Sequence, residues 1–90
     1  MKIVKATTQF RKDIKRYASD NDKLKRLYQI VALLEAGEVI PKENRPHLLK
    51  GNYNGYWECH IKGDFRLIWC DADNDIIWLH RLGSHSELFG

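Results

Sequence analysis

Cysteine, proline and methionine are nearly missing from this chain, which in 90 residues has two, two and one of them. Cys59 and Cys70 are too few for a disulfide framework and lie in no metal-ligand spacing, so free thiols are expected. No apolar run approaches the ~20 residues needed to cross a bilayer, and no membrane association is expected. The opening MKIVKATTQF has lysines but neither a long apolar segment nor a small-residue cleavage site, so the expected compartment is the cytoplasm. Negative charge is also scarce at first. Residues 1–34 hold nine Lys/Arg against Asp13, Asp20 and Asp22, a net +6, whereas the remainder carries −3 and the whole +3. A basic half points to a polyanionic partner, nucleic acid before membrane, because no basic segment has the broad apolar face of a surface-binding helix. A solvated helix face is the plainer reading of the same charges.

What is present fits one domain, residues 1–90, since so short a chain builds a single core. KIVKA (2–6) is a short β-branched stretch that suits an edge strand. Thr7 or Thr8 can then cap a helix whose Phe10, Ile14 and Tyr17 recur on one stripe, with a break from Ser19 to Asp22. A second helix follows with Leu24, Leu27, Tyr28, Val31 and Leu34 on one face and Gly37 as its stop. Between Glu38 and Asn54, Pro41, Pro46 and Gly51 argue against regular structure over a long connection. Beyond Gly55 the period becomes two: YWECHIK puts Trp57, Cys59 and Ile61 on one face and Tyr56, Glu58, His60 and Lys62 on the other. Gly63-Asp64 reads as a turn, FRLIWC as a strand, DADND as a second turn and IIWLHRL as a third strand, the last two apolar on both faces so that their inward side stays open. Ser84 with Glu87 three residues on is a capping box for a short terminal helix. The expected class is α+β: an N-terminal strand and helical hairpin packed on a small twisted antiparallel sheet, with a short C-terminal helix.

All four histidines, His47, His60, His80 and His85, fall in the sheet half. Each has a bland alternative as a solvated or strand-surface residue. No H-x-x-x-H, C-x-x-C or acidic cluster suggests a metal, no cofactor is indicated, and no nucleophile elbow is present. What remains is a cationic acid–base set: His47, His60, Asp64, Arg81 and His85, with Lys62 and Arg66 nearby. RNA cleavage by its own 2′-OH needs a base, an acid and positive charge on the phosphorane, and histidine serves both proton transfers near neutrality. A helix N-terminus at Ser84 would favour a bound phosphate. Phe65 and Phe89 would stack on bases.

The segments HLLKGNYNGYWECHIKGDFRLIW and LHRLGSHSELFG resemble the YafQ branch of the RelE-type bacterial toxins. The likeness is strongest over residues 47–90. It implies a RelE-like fold and a ribosome-dependent, metal-independent mRNA endonuclease of a type II toxin–antitoxin system. By the same resemblance, His47, His60 and Asp64 match the catalytic loop histidine, strand histidine and turn aspartate. Arg81 matches the phosphate-contacting arginine, His85 the main acid–base histidine and Phe89 the aromatic that positions RNA. Phe65 stands where the best-known member has tryptophan, and Gly63 replaces a common proline. The implied partners are a RelB/DinJ-like antitoxin, the 30S A-site with its mRNA, and operator DNA through the antitoxin alone. Two rival readings stand beside it: a non-cleaving toxin of the same fold, directed at gyrase or the ribosome, whose relatives generally lack His60, Asp64 and His85 together, and a plain RNA-binding module.

Overall fold

The computed structural model describes every residue except Asn74, with Asp73 described by its backbone alone. The chain begins with strand β1 (Ile3–Ala6), followed by helices α1 (Thr8–Lys15) and α2 (Asn21–Ala36). Thr7 caps α1: its hydroxyl accepts the Phe10 N–H at 3.0 Å and itself donates to the His80 carbonyl at 3.0 Å. The capping residue thereby ties the helix start to the far end of the chain. Asp20 caps α2 by accepting the Lys23 N–H at 3.1 Å. At the other end Gly37 takes φ 71°, and bonds from the Gly37 N–H to the Leu34 carbonyl (3.1 Å) and from the Glu38 N–H to the Leu33 carbonyl (2.9 Å) close α2. The break expected at Ser19–Asp22 lies earlier, because α1 already ends at Lys15 and Asn21 and Asp22 form the first turn of α2.

The long connection is not wholly irregular. Single turns of 3-10 helix at Lys42–Asn44 and Gly51–Tyr53 flank a two-residue strand, β2 (His47–Leu48). Strands β3 (Trp57–Lys62), β4 (Phe65–Asp73) and β5 (Ile76–Gly83) form the antiparallel meander, and α3 (His85–Phe89) follows. The turn read at DADND is displaced: β4 continues through Asp73, while Asn74 lies outside the described residues. Strand order is β1-β5-β4-β3-β2, with β1 parallel to β5 at one edge.

The core lies between the helices and one face of the sheet. Phe10, Leu27, Ile30 and Leu34 meet Cys59, Ile61, Phe65, Leu67, Trp69, Ile77, Leu79 and Leu82, which settles the inward face of β4 and β5. Ile30, rather than the expected Tyr28, fills the α2 face, and Tyr28 is exposed. Cys59 and Cys70 are free thiols; burial pushes Cys59 up to about 12. No described helix is long and apolar enough to cross a membrane.

Two register shifts set the opposite face. Between His60 and Lys62 the β3–β4 pairing skips Ile61, and between Ile68 and Trp69 the β4–β5 pairing skips His80. An extra residue of this kind re-aims the side chains that follow it. Because of the second, Leu79 and Leu82 both reach the core while Arg81 comes opposite Ile68.

Candidate active site

The register lines up one row across the sheet, His47 beside Glu58, Glu58 beside Ile68 and Ile68 beside Arg81, and a second row of His60, Arg66 and Gly83. Directly opposed side chains lie about 4.5–5.5 Å apart at Cβ, so these rows bring residues of four strands within reach of one another. Sequence separation had hidden this.

Glu58 is the hub of the first cluster. The alternating pattern assigned it to a polar strand face, yet it is 1% exposed. Its Oε1 lies 3.2 Å from His47 Nε2, 3.4 Å from Arg66 Nη1 and 4.0 Å from His60 Nε2. Its Oε2 is buried and has no protein partner among the described residues. His47 also has the Arg45 carbonyl 2.7 Å from Nδ1, so both its nitrogens face acceptors. His60 is half-buried and not surface-exposed. Burial first, and then the Arg66 guanidinium, hold its pKa below the usual 6.5, so its ring is neutral at physiological pH.

Arg66 links this cluster to the end of the chain. Its Nε donates to Asp64 Oδ1 at 3.1 Å, and the same oxygen accepts the His85 N–H at 3.2 Å. Asp64 and the capping box, in which the Ser84 N–H donates to Glu87 at 2.8 Å and the Glu87 N–H to the Ser84 hydroxyl at 3.2 Å, therefore already occupy donors of the α3 start. The phosphate expected there meets a carboxylate first. His85 is exposed, with its ring centroid 4.9 Å from that of Phe89.

Arg81 is held from behind by a residue that the sequence had not singled out. Asp13 of α1, fully buried, accepts from Arg81 Nε at 2.8 Å, from Nη2 at 3.4 Å and from the Leu82 N–H at 3.0 Å. Burial alone would raise the Asp13 carboxyl, but Arg81, the Leu82 N–H and Gln9 outweigh it and keep it below 3.8. The bond to Asp13 in turn pushes Arg81 up. An aspartate among lysines on an amphipathic helix reads as solvated, and its partner is 68 positions away.

Two residues expected to touch substrate lie elsewhere. Phe65 is 3% exposed, its ring 4.6 Å from that of Tyr17 in the core, so it has no free face for a base. The register shift at Ile61 turns Lys62 away from His60, and it pairs with Asp22 of α2. Beside Phe89, Tyr53 and Tyr56 extend an aromatic cluster to His80 that no local sequence pattern marks.

This arrangement has close counterparts. A copper-bound mutant toxin from Helicobacter pylori superposes with a TM-score of 0.90 at 34% identity, covering 99% of this chain and all of that one. The toxin of the DinJ-YafQ toxin-antitoxin complex from Escherichia coli superposes with a TM-score of 0.85 at 26% identity, covering 99% and 98%. The copper belongs to that Helicobacter protein; among the described residues here, no three or more His, Cys, Asp or Glu side chains are grouped to hold a metal ion. In sequence, the chain is 32% identical over 85 residues to the mRNA interferase toxin YafQ of Escherichia coli K12, covering 91% of this chain and 89% of the relative. Residues 2–90 match the family described as the bacterial toxin of type II toxin-antitoxin system, YafQ, and the chain belongs to that family.

Proposed function

We propose that this toxin is an mRNA interferase that cuts messenger RNA in the decoding site of the ribosome by intramolecular attack of the 2′-OH, and that a DinJ-like antitoxin restrains it. The observation that carries the reading is the row of histidine, carboxylate and arginine across the sheet, with His60 kept neutral beside Glu58. His60 accepts the 2′-OH proton as the oxygen bonds to phosphorus. Arg81 stabilises the phosphorane, an effect worth ~3–4 kcal/mol when one such donor is removed. The P–O5′ bond breaks as His85 gives its proton to the 5′ oxygen, leaving a 2′,3′-cyclic phosphate and a 5′-hydroxyl end. Glu58 holds His47 and Arg66, and Asp64 fixes the start of α3 so that His85 keeps its place. One proton passes from the 2′-OH to His60 and another from His85 to the 5′ oxygen, and no step needs a metal. The site of action is cytoplasmic, where ribosome and message meet. The basic helices bear on ribosomal RNA, and operator DNA is reached only through the antitoxin.

The test is primer extension on a defined message in purified ribosomes, with wild type and His85→Ala side by side. New stops in the decoding-site codon with wild type alone are expected. Stops of equal strength with both proteins would remove His85 from the chemistry. No stops with either, despite toxicity in cells, would send the function to a non-cleaving target such as gyrase.

A further inference from the structure

At the Tyr53–Phe89 end of the aromatic cluster lies a half-open cavity of about 300 Å³ lined by Lys50, Asn52, Tyr53, Leu88 and Phe89. Its walls are two rings at right angles, Tyr53 and Phe89, with centroids 5.5 Å apart. The Tyr53 hydroxyl donates to the Leu88 carbonyl at 3.3 Å, fixing the loop wall to the C-terminal end of α3. Gly51 at φ 69° makes the reversal that brings Asn52 and Tyr53 to the opening. Phe89 keeps 38% of its surface exposed although it is apolar. Lys50 and Asn52 are exposed, and neither side chain has a hydrogen-bond or ion-pair partner among the described residues.

From this we infer that the cavity is a nucleobase subsite, taking the base of the nucleotide next to the scissile phosphate, an inference that rests on the ribonuclease reading above. Two aromatic walls offer stacking, worth about 1–3 kcal/mol per base and tolerant of sequence. The Asn52 amide presents a donor and an acceptor together, the pairing that reads a base edge. Lys50 supplies the cation for the phosphate that follows. Position completes the case: the other neighbour of Phe89 is the His85 ring at 4.9 Å, so one aromatic ring separates the cavity from the group that protonates the leaving oxygen. Here Phe89 serves both neighbours, and Tyr53 and Asn52 decide which base is accepted.

The test maps all cut ends on a pool of messages in programmed ribosomes for wild type, Asn52→Ala and Lys50→Ala, with antitoxin affinity measured in parallel. Asn52→Ala is expected to keep cutting but to flatten the base preference at one position beside the cut, with the favoured sites losing roughly ten-fold. Lys50→Ala is expected to raise KM several-fold with kcat and preference unchanged. An unaltered spectrum and rate in both variants would overturn the subsite while leaving the nuclease standing, as would weakened antitoxin binding with normal cutting, which would make the cavity a protein-binding surface. A wild type that cuts nothing would remove the nuclease reading, and the subsite with it.

Discussion

Replacing Asp13 by asparagine keeps the shape of that side chain and removes its charge. Arg81, whose side chain is 17% exposed, then lacks its counter-charge. Breaking a buried pair on one side costs ~3–5 kcal/mol, and the residual exposure of Arg81 brings the expected loss to about 2–4 kcal/mol. Asp13→Asn should lower the urea midpoint accordingly and reduce kcat, because the guanidinium is no longer aimed. In a double-mutant cycle with Arg81→Gln the two losses should fall well short of additive; simple additivity would mean that the pair is not coupled. At this scale the sequence was half legible. His47, His60, Asp64, Arg81 and His85 were singled out by residue type, and the fold brings His47 and His60 to Glu58 and Asp64 to the start of α3 at His85. Asp13 and Glu58 were not, since a carboxylate on a basic helix or a polar strand face looks solvated until the partner from a distant segment is seen. Phe65 misled for the converse reason: an aromatic beside a site aspartate reads as a platform, but strand alternation and the shift at Ile61 put it inside.

Among the elements, α3 shows how five residues are kept helical, a length far too short to persist alone. Glu87 does most of this. Besides closing the capping box, it accepts the Tyr17 hydroxyl at 2.6 Å and Arg16 Nη1 at 3.3 Å, binding α3 to the end of α1. The Tyr17 hydroxyl first, and then the Ser84 N–H, lower its carboxyl from 4.5 to about 2. A depressed carboxylate stabilises the fold above its unfolded pKa and loses that contribution as pH falls through the folded one. The docking of α3 should thus be intact at pH 6 and weaken between pH 4.5 and about 2. Glu87→Gln should lower stability at pH 6 and flatten its acid dependence in that window, as followed by urea unfolding at stepped pH. An unchanged acid slope would show that other carboxylates govern it. The capping box was readable from Ser84 and Glu87, and so were both long helices and the meander. The extra residues beside the candidate site were not, because Ile61 and His80 carry no local mark such as glycine; these bulges answer to core packing across strands.

For the whole molecule, charge is segregated by element. Arg16, Lys23 and Arg26 have acidic partners, but exposed Arg11, Lys12, Lys15 and Lys25 have none among the described residues. That unpaired set is what the count of nine cations against three anions foretold, and it lies on α1 and α2. Lys12→Glu with Lys15→Glu should weaken ribosome binding and shallow its dependence on log salt by roughly 0.7–0.9 for each phosphate no longer neutralised. Folding stability should change little. Equal affinity of wild type and variant across 50–200 mM salt would place the ribosome-binding surface elsewhere.

The parallel pairing of β1 with β5 has a consequence in time. Residues 3–6 find their partners only at 76–79, the Thr7 hydroxyl waits for the carbonyl of His80, and Asp13 waits for Arg81. During synthesis residues 3–6 emerge long before their partners, so neither the β1–β5 pairing nor the Asp13–Arg81 pair can form until β5 has followed. A chain still being made therefore lacks both the strand pairing and the aimed arginine, so the rows of the candidate site are assembled last.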